Sequence, residues 1–159
     1  MKSTILPVKS CNQLVTLCMV ALMVGMMMLT GCDKKEPLEP SLNGNVPRPT
    51  WTSPSEYDYT SSMTAVVKVT NLNGQVINDS IVKADDMLAA FSGETCLGVA
   101  EYQDSLFYLF VTATEGNVTL RYWSKYYTNL FEAKDAFPYV NDTQRGSPSA
   151  PFTPSFVTK

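Results

Sequence analysis

From about residue 57 to the C-terminus, apolar and polar positions alternate in short runs punctuated by Asn, Asp and Gly, the pattern of half-buried strands joined by tight turns. Over 63–70, Met63, Ala65, Val67 and Val69 share one face, and Thr64, Val66, Lys68 and Thr70 the other. Residues 71–75 form the following turn, in which Gly74 is free to take positive φ. Short strands are expected at 76–77 and 80–83. The run 87–91 is Ala- and Leu-rich, but it is only five residues long and bounded by Asp86 and Gly93, so it reads as a strand. In the next strand, 95–102, Gly98 marks a bulge or a close backbone or aromatic neighbour. The strongest core strand is 106–112, with Phe107, Leu109 and Val111 on one side and Tyr108 and Phe110 on the other, as for a central strand buried on both faces. In 118–124, Val118, Leu120 and Tyr122 alternate with Thr119, Arg121 and Trp123. Further strands are expected over 126–132 and 137–140, and Phe152, Phe156 and Val157 suit a closing edge strand. No segment supports a helix of three or more turns. The pattern predicts an all-β fold, an immunoglobulin-like or related antiparallel β-sandwich of about 7–8 short strands across 57–159.

The N-terminal part follows different rules. Lys2 and Lys9 precede an uncharged stretch, 14–29, broken only by Thr16 and Gly25. Its 16 residues fall short of the ~20 needed to span a bilayer and suit the hydrophobic region of a signal peptide. Leu29-Thr30-Gly31-Cys32 resembles the bacterial lipoprotein signal, which implies cleavage before Cys32 and a diacylglycerol thioether on its sulfur, the nucleophile that takes the lipid. Two or three acyl chains anchor stably where one does not. The expected organisation is a signal peptide over 1–31, a disordered Pro-rich tether over 32–56 and one sandwich over 57–159, with Trp51 docking on the domain or marking its start. Asp33 beside the Cys resembles an inner-membrane retention signal of enterobacteria, and the charged run 33–36 resembles a surface-export signal of Bacteroidetes lipoproteins. The expected location is the cell envelope, with the outer membrane favoured over the inner and the leaflet left open.

Composition sharpens this division. Residues 1–31 hold six of the eight Met and no acid, while 32–159 hold all aromatic residues and all 15 acids against 10 Lys and Arg, a formal charge of 10 − 15 = −5. An acidic, aromatic-rich body argues against nucleic-acid binding. The chain has no His, so the most common neutral-pH acid/base and metal ligand are absent. Cys11 and Cys18 fall in the signal and Cys32 carries the lipid, so Cys96 has no intrachain partner and reads as a small core hydrophobe.

Candidate chemistry is sparse. Asp86 and Glu94 are a conceivable carboxylate pair, but a strand-turn-strand pattern promises no sugar-holding cleft. Asp85, Asp86, Glu94 and Asp104 offer hard oxygen atoms at a spacing that fits no calcium loop, so no metal and no cofactor beyond the lipid are expected. The densest aromatic patch is Tyr122, Trp123, Tyr126 and Tyr127, of which Tyr122 and one of the other tyrosines suit the core. Trp123 and Arg121 face away from Val118, Leu120 and Tyr122. With Tyr126 and Tyr127 they form the candidate surface for a protein or glycan partner, because Trp and Tyr bring rigid area with a polar handle.

The passage Asp86-Met87-Leu88-Ala89-Ala90-Phe91-Ser92-Gly93-Glu94-Thr95-Cys96-Leu97-Gly98-Val99-Ala100 resembles a D-x-L-A-A-F-x-G-x-x-C-x-G-V-A module of Bacteroidetes surface and secreted proteins, with Tyr59-Thr60-Ser61-Ser62-Met63-Thr64 as its opening. The resemblance covers about 57–140. It implies an all-β extracytoplasmic domain with Asp86 opening a strand, Phe91 in the core, Gly93 in the turn, Cys96 buried and Gly98 at a close approach. Leu97 stands where the module often has Arg, so the resemblance does not carry over the ligand or salt-bridge role of an Arg at that position. Asp79-Ser80-Ile81 and Asp104-Ser105-Leu106 resemble the O-glycosylation sequon of the same bacteria, placing glycans on Ser80 and Ser105. The expected function is a non-enzymatic, lipid-anchored binding or adhesion module. The alternatives are an assembly subunit joining others by strand addition and an accessory of a glycan-processing system.

Overall fold

A computed structural model describes residues 41–55, 61–113 and 115–159. The signal peptide, Cys32, the residues up to 40 and the Tyr59-Thr60 part of the module's opening lie outside the described residues. Among the described residues there is no helix, and the fold is all-β, as expected, in a two-sheet sandwich. Twelve strands are present among the described residues rather than seven or eight, because several are only two or three residues long. Each sheet also contains one parallel pairing, so neither is purely antiparallel.

The smaller sheet has the order β11-β1-β7-β6, built from β1 (Ser62–Val67), β6 (Glu101–Gln103), β7 (Leu106–Thr112) and β11 (Gln144–Arg145). The larger sheet runs β3-β2-β12-β9-β8-β4-β5, from β2 (Asn71–Leu72), β3 (Gln75–Val76), β4 (Met87–Ser92), β5 (Thr95–Val99), β8 (Asn117–Ser124), β9 (Asn129–Ala133) and β12 (Phe156–Thr158). The remaining strand, β10 (Phe137–Pro138), pairs with β8. The predicted strand 95–102 breaks at Ala100: β5 pairs with β4 in one sheet and β6 with β7 in the other, so this stretch carries the chain between layers. Residues 80–83 are turn and coil rather than a strand, and β12 lies between β2 and β9 rather than at an edge. The β2–β3 hairpin turns through Asn73 and Gly74, both at positive φ, as a two-residue hairpin loop requires.

The core sits between the sheets and centres on Tyr122. Its ring packs against Phe107, Phe131 and Phe156 at centroid distances of 6.0, 6.2 and 5.8 Å. The Tyr122 hydroxyl donates to the Asp86 carboxylate at 2.6 Å, and the backbone N–H groups of Lys83 and Lys125 donate to the same carboxylate. Asp86 therefore opens β4 by satisfying three donors around the strand's start, which makes a buried acid tolerable. Burial, with the adjacent carboxylate, pushes the Tyr122 phenol far above its ordinary value. Gly98 serves a close approach between layers: a Cβ there would sit 2.0 Å from the Phe110 carbonyl oxygen of β7. A register shift at Ala90/Phe91, which pair with Gly98 and Cys96, leaves Leu97 as the extra residue of a bulge.

The sandwich also reaches further back in sequence than expected. The compact unit starts at residue 40, and 41–55, expected as free tether, forms no strand yet is fastened along the outer face of the larger sheet. Gly44 N–H and Val46 N–H donate to the carbonyls of Tyr127 and Thr128, Asn129 Nδ2 donates to Leu42 O, and Leu42 is buried. A Cβ on Gly44 would collide with the Asn129 side chain at 2.5 Å, so the Asn-Gly pair that suggested an irregular loop is needed for contact.

Candidate functional site

This N-terminal strap changes the predicted site. As expected from alternation, Trp123 and Arg121 point to the outer face of β8, but that face is covered. Trp123 is 5% exposed, and its indole N–H donates to Val46 O at 2.9 Å, a bond that satisfies the strap backbone and removes the ring from solvent. Trp51 docks as expected, edge-on to Phe91 at 5.3 Å. Phe91 is buried, as expected, but beneath Trp51 on this outer face rather than in the cluster between the sheets. Ser53 Oγ, further along, accepts from Val99 N–H.

Arg121 is equally committed. Its guanidinium bonds both Glu94 oxygens at 2.7 and 2.9 Å, the Glu132 carboxylate at 2.9 Å and Gly93 O at 2.9 Å, and it lies 4.2 Å above the Phe91 ring. Lys159 closes the network with contacts to Glu132 at 3.1 Å and Glu94 at 3.5 Å. The hydrogen bonds from Arg121 hold both carboxyls below their ordinary value, and those bonds raise Arg121 in turn. Arg121 thus ties β4, β8 and β9 together and offers no free donor fork to a partner. Of the four predicted binding residues, only Tyr126 is well exposed, at 66%. Tyr127 is half-buried against Tyr126 and Phe131, and its burial raises its phenol.

The acids considered for chemistry do not converge. Asp86 is consumed in the core, Glu94 by Arg121, Asp85 pairs with Lys125 at 2.6 Å, and Asp104 sits at positive φ in the β6–β7 turn. Among the described residues no group of three or more acids and cysteines is placed to hold a metal ion. Cys96 is half-buried rather than fully so. Burial pushes its thiol up, away from the reactive thiolate. Ser80 and Ser105 are both exposed in turns.

The opposite side of the molecule carries an open site that the sequence reading did not single out. On the outer face of the smaller sheet, register places Gln144, Thr64 and Phe110 in one row across β11, β1 and β7, and Val66, Tyr108 and Glu101 in the next across β1, β7 and β6. Phe110 was expected to be buried, yet it is 51% exposed in the middle of the sheet. Ser53 of the strap on one side and Pro148 on the other convert this face into a groove of about 680 Å³. A smaller hollow lined by Pro54, Leu97 and Thr112 continues it past Phe110. The floor is apolar, with Val66 buried and Tyr108 half-buried. The rim is polar: the hydroxyls of Thr64 and Tyr108 and the carboxylate of Glu101 have no partner among the described residues. The signal was present in 106–112, where Tyr108 and Phe110 share the face opposite the core, but alternation does not say whether a second layer covers that face.

Comparison with protein-family models finds no match, and searches of curated proteins and of solved structures find none either.

Proposed function

We propose that this chain is a lipid-anchored, non-enzymatic binding module of the bacterial cell envelope, taking a protein or glycan partner in the groove over β1, β7 and β6. The observation that carries this reading is Phe110, a large ring half-exposed at the centre of a sheet and framed by walls from two other parts of the chain. An apolar floor with a few convergent polar groups, in a volume within the ~300–1,000 Å³ of ligand sites, is the usual character of a binding pocket. Anchoring is supported by Leu29-Thr30-Gly31-Cys32, and the outer membrane is the favoured residence. The non-enzymatic reading is supported by the absence of His and by the engagement of Asp86 and Glu94 in internal bonds. Exposure of Ser80 and Ser105 leaves both accessible to glycosylation.

The strap sharpens what anchoring implies. Only nine residues lie between Cys32 and Leu42, which among the described residues is the first fastened to the sheet, so an anchored domain stays within about 35 Å of its lipid. The test has two arms. Cys32→Ala is expected to lose incorporation of an alkynyl fatty acid and membrane association. Phe110→Ala is expected to lose retention of envelope material by the purified full chain, while Tyr126→Ala retains it. Equal retention by a folded Phe110→Ala variant would remove the groove from the account.

A further inference from the structure

Resting on that groove reading, we infer that its ligand is a glycan of neutral or amine-bearing sugars, rather than a protein surface or an acidic polymer. Three observations select it. The first is extent. Eleven of the described residues line the groove, against the ~20–30 that each side contributes to a stable protein interface. The second is chemistry. The C–H face of a sugar ring is apolar and slightly positive, which suits the negative face of Phe110, while the hydroxyls at the ring's edge need donors and acceptors around that platform. Thr64, Tyr108 and Glu101 supply such groups, and among the described residues none is spent on an internal bond. Gln144 donates its amide N–H to Gly146 O at 2.8 Å, which fixes the side chain and leaves its amide oxygen as an acceptor. The third is charge. Among the described residues Glu101 is the only carboxylate in the lining and no Lys or Arg joins it, so a uronate, phosphate or acidic peptide would meet repulsion without compensation. A protonated amino sugar would gain an ion pair at the rim.

The Val66–Tyr108–Glu101 row and the Gln144–Thr64–Phe110 row lie side by side on one face, so a chain of sugars can pass from the carboxylate to the exposed ring and on toward Pro54. The test is binding of the purified full chain to an array of neutral, amino-sugar and acidic oligosaccharides, with calorimetric titration of those retained. Neutral or amino-sugar oligomers are expected to bind, with affinity about tenfold weaker for Phe110→Ala, the scale of losing an aromatic anchor. Glu101→Gln is expected to weaken amino-sugar oligomers about two- to fivefold more than neutral ones, the scale of a rim ion pair. Tyr126→Ala is expected to bind as wild type. Preferential binding of acidic oligomers would overturn the inference. So would a dimer, seen by sedimentation, that Phe110→Ala dissociates, because the groove would then serve a second copy. If no oligosaccharide binds at millimolar concentration while envelope capture still depends on Phe110, the glycan fails and the groove stands. If capture is also independent of Phe110, both fail.

Discussion

Gly98→Ala probes the contact that holds the two sheets at their observed separation beneath the groove. A Cβ on Gly98 would stand 2.0 Å from the Phe110 carbonyl oxygen and 3.6 Å from Val111 Cα. Real Cβ atoms essentially never come closer than 3.0 Å to such a neighbour, so β5 or β7 must move by at least 1.0 Å, the difference between those two distances. The obstacle is backbone, which cannot swing aside as a side chain can. Separation also strains the bond from Thr112 Oγ1 to Leu97 O, 3.1 Å long and bridging the same two strands. Overpacking costs about 1–3 kcal/mol and a weakened buried hydrogen bond about 1 more, so the expected loss is roughly 2–4 kcal/mol. Urea unfolding is the assay: the midpoint falls with little change in slope, because the surface exposed on unfolding is nearly the same. Gly93→Ala is the control, since Gly93 has φ +58 and nothing within 4 Å of its Cβ position. It loses only the backbone preference, about 1–2 kcal/mol. A Gly98→Ala midpoint equal to wild type would refute the close approach and the layer spacing built on it.

Other expected outcomes test the strap and the ion network. Trp51→Ala removes the edge contact on Phe91 and is expected to cost about 1–2 kcal/mol in urea while freeing the segment to proteolysis before the sandwich unfolds. Asp86→Asn leaves a buried amide N–H group facing donors where the carboxylate accepts three bonds, a loss of about 3 kcal/mol by thermal or urea melting. The carboxyls of Glu94 and Glu132 are held below their ordinary value of 4.5, so their contribution is complete above pH 4.5 and disappears as pH falls through the lowered folded values. Arg121→Gln should therefore flatten the decline of stability with pH below 4.5, and an unchanged slope would show that Arg121 does not set it.

The sequence made the sheet faces legible but not what covers them. A period of two assigns Trp123 and Arg121 to the side away from Tyr122, and the structure agrees. Whether that side meets solvent depended on residues 42–51, about 80 positions earlier, whose prolines and polar residues carry no periodic signal. The same blindness ran the other way at Phe110, where an apolar run of both parities suggested burial on both faces and one face proved open. Gly98 and Asp86 were readable because a missing side chain inside a strand and a short acid at a strand start mark those positions, although the groups they meet, Phe110, Tyr122 and Lys125, come from other strands or turns. A strand such as Gln144–Arg145 was not, because it forms only through Thr64 and Ala65, about 80 positions earlier. Arg121 shows the limit for charges: in sequence it is one cation between Leu120 and Tyr122, and only the fold brings Glu94, Glu132 and Lys159 around it.

The central claim is that the partner occupies the groove over β7, and a photo-crosslinking residue placed at position 110 in living cells tests it most directly. Replacement of Phe110 by benzoylphenylalanine keeps an aromatic ring in the groove, and the same residue at position 126 samples the other sheet's surface. The account predicts light-dependent, partner-bearing adducts from position 110 and none from position 126. Adducts from position 126 alone would place the partner on the opposite face and contradict it.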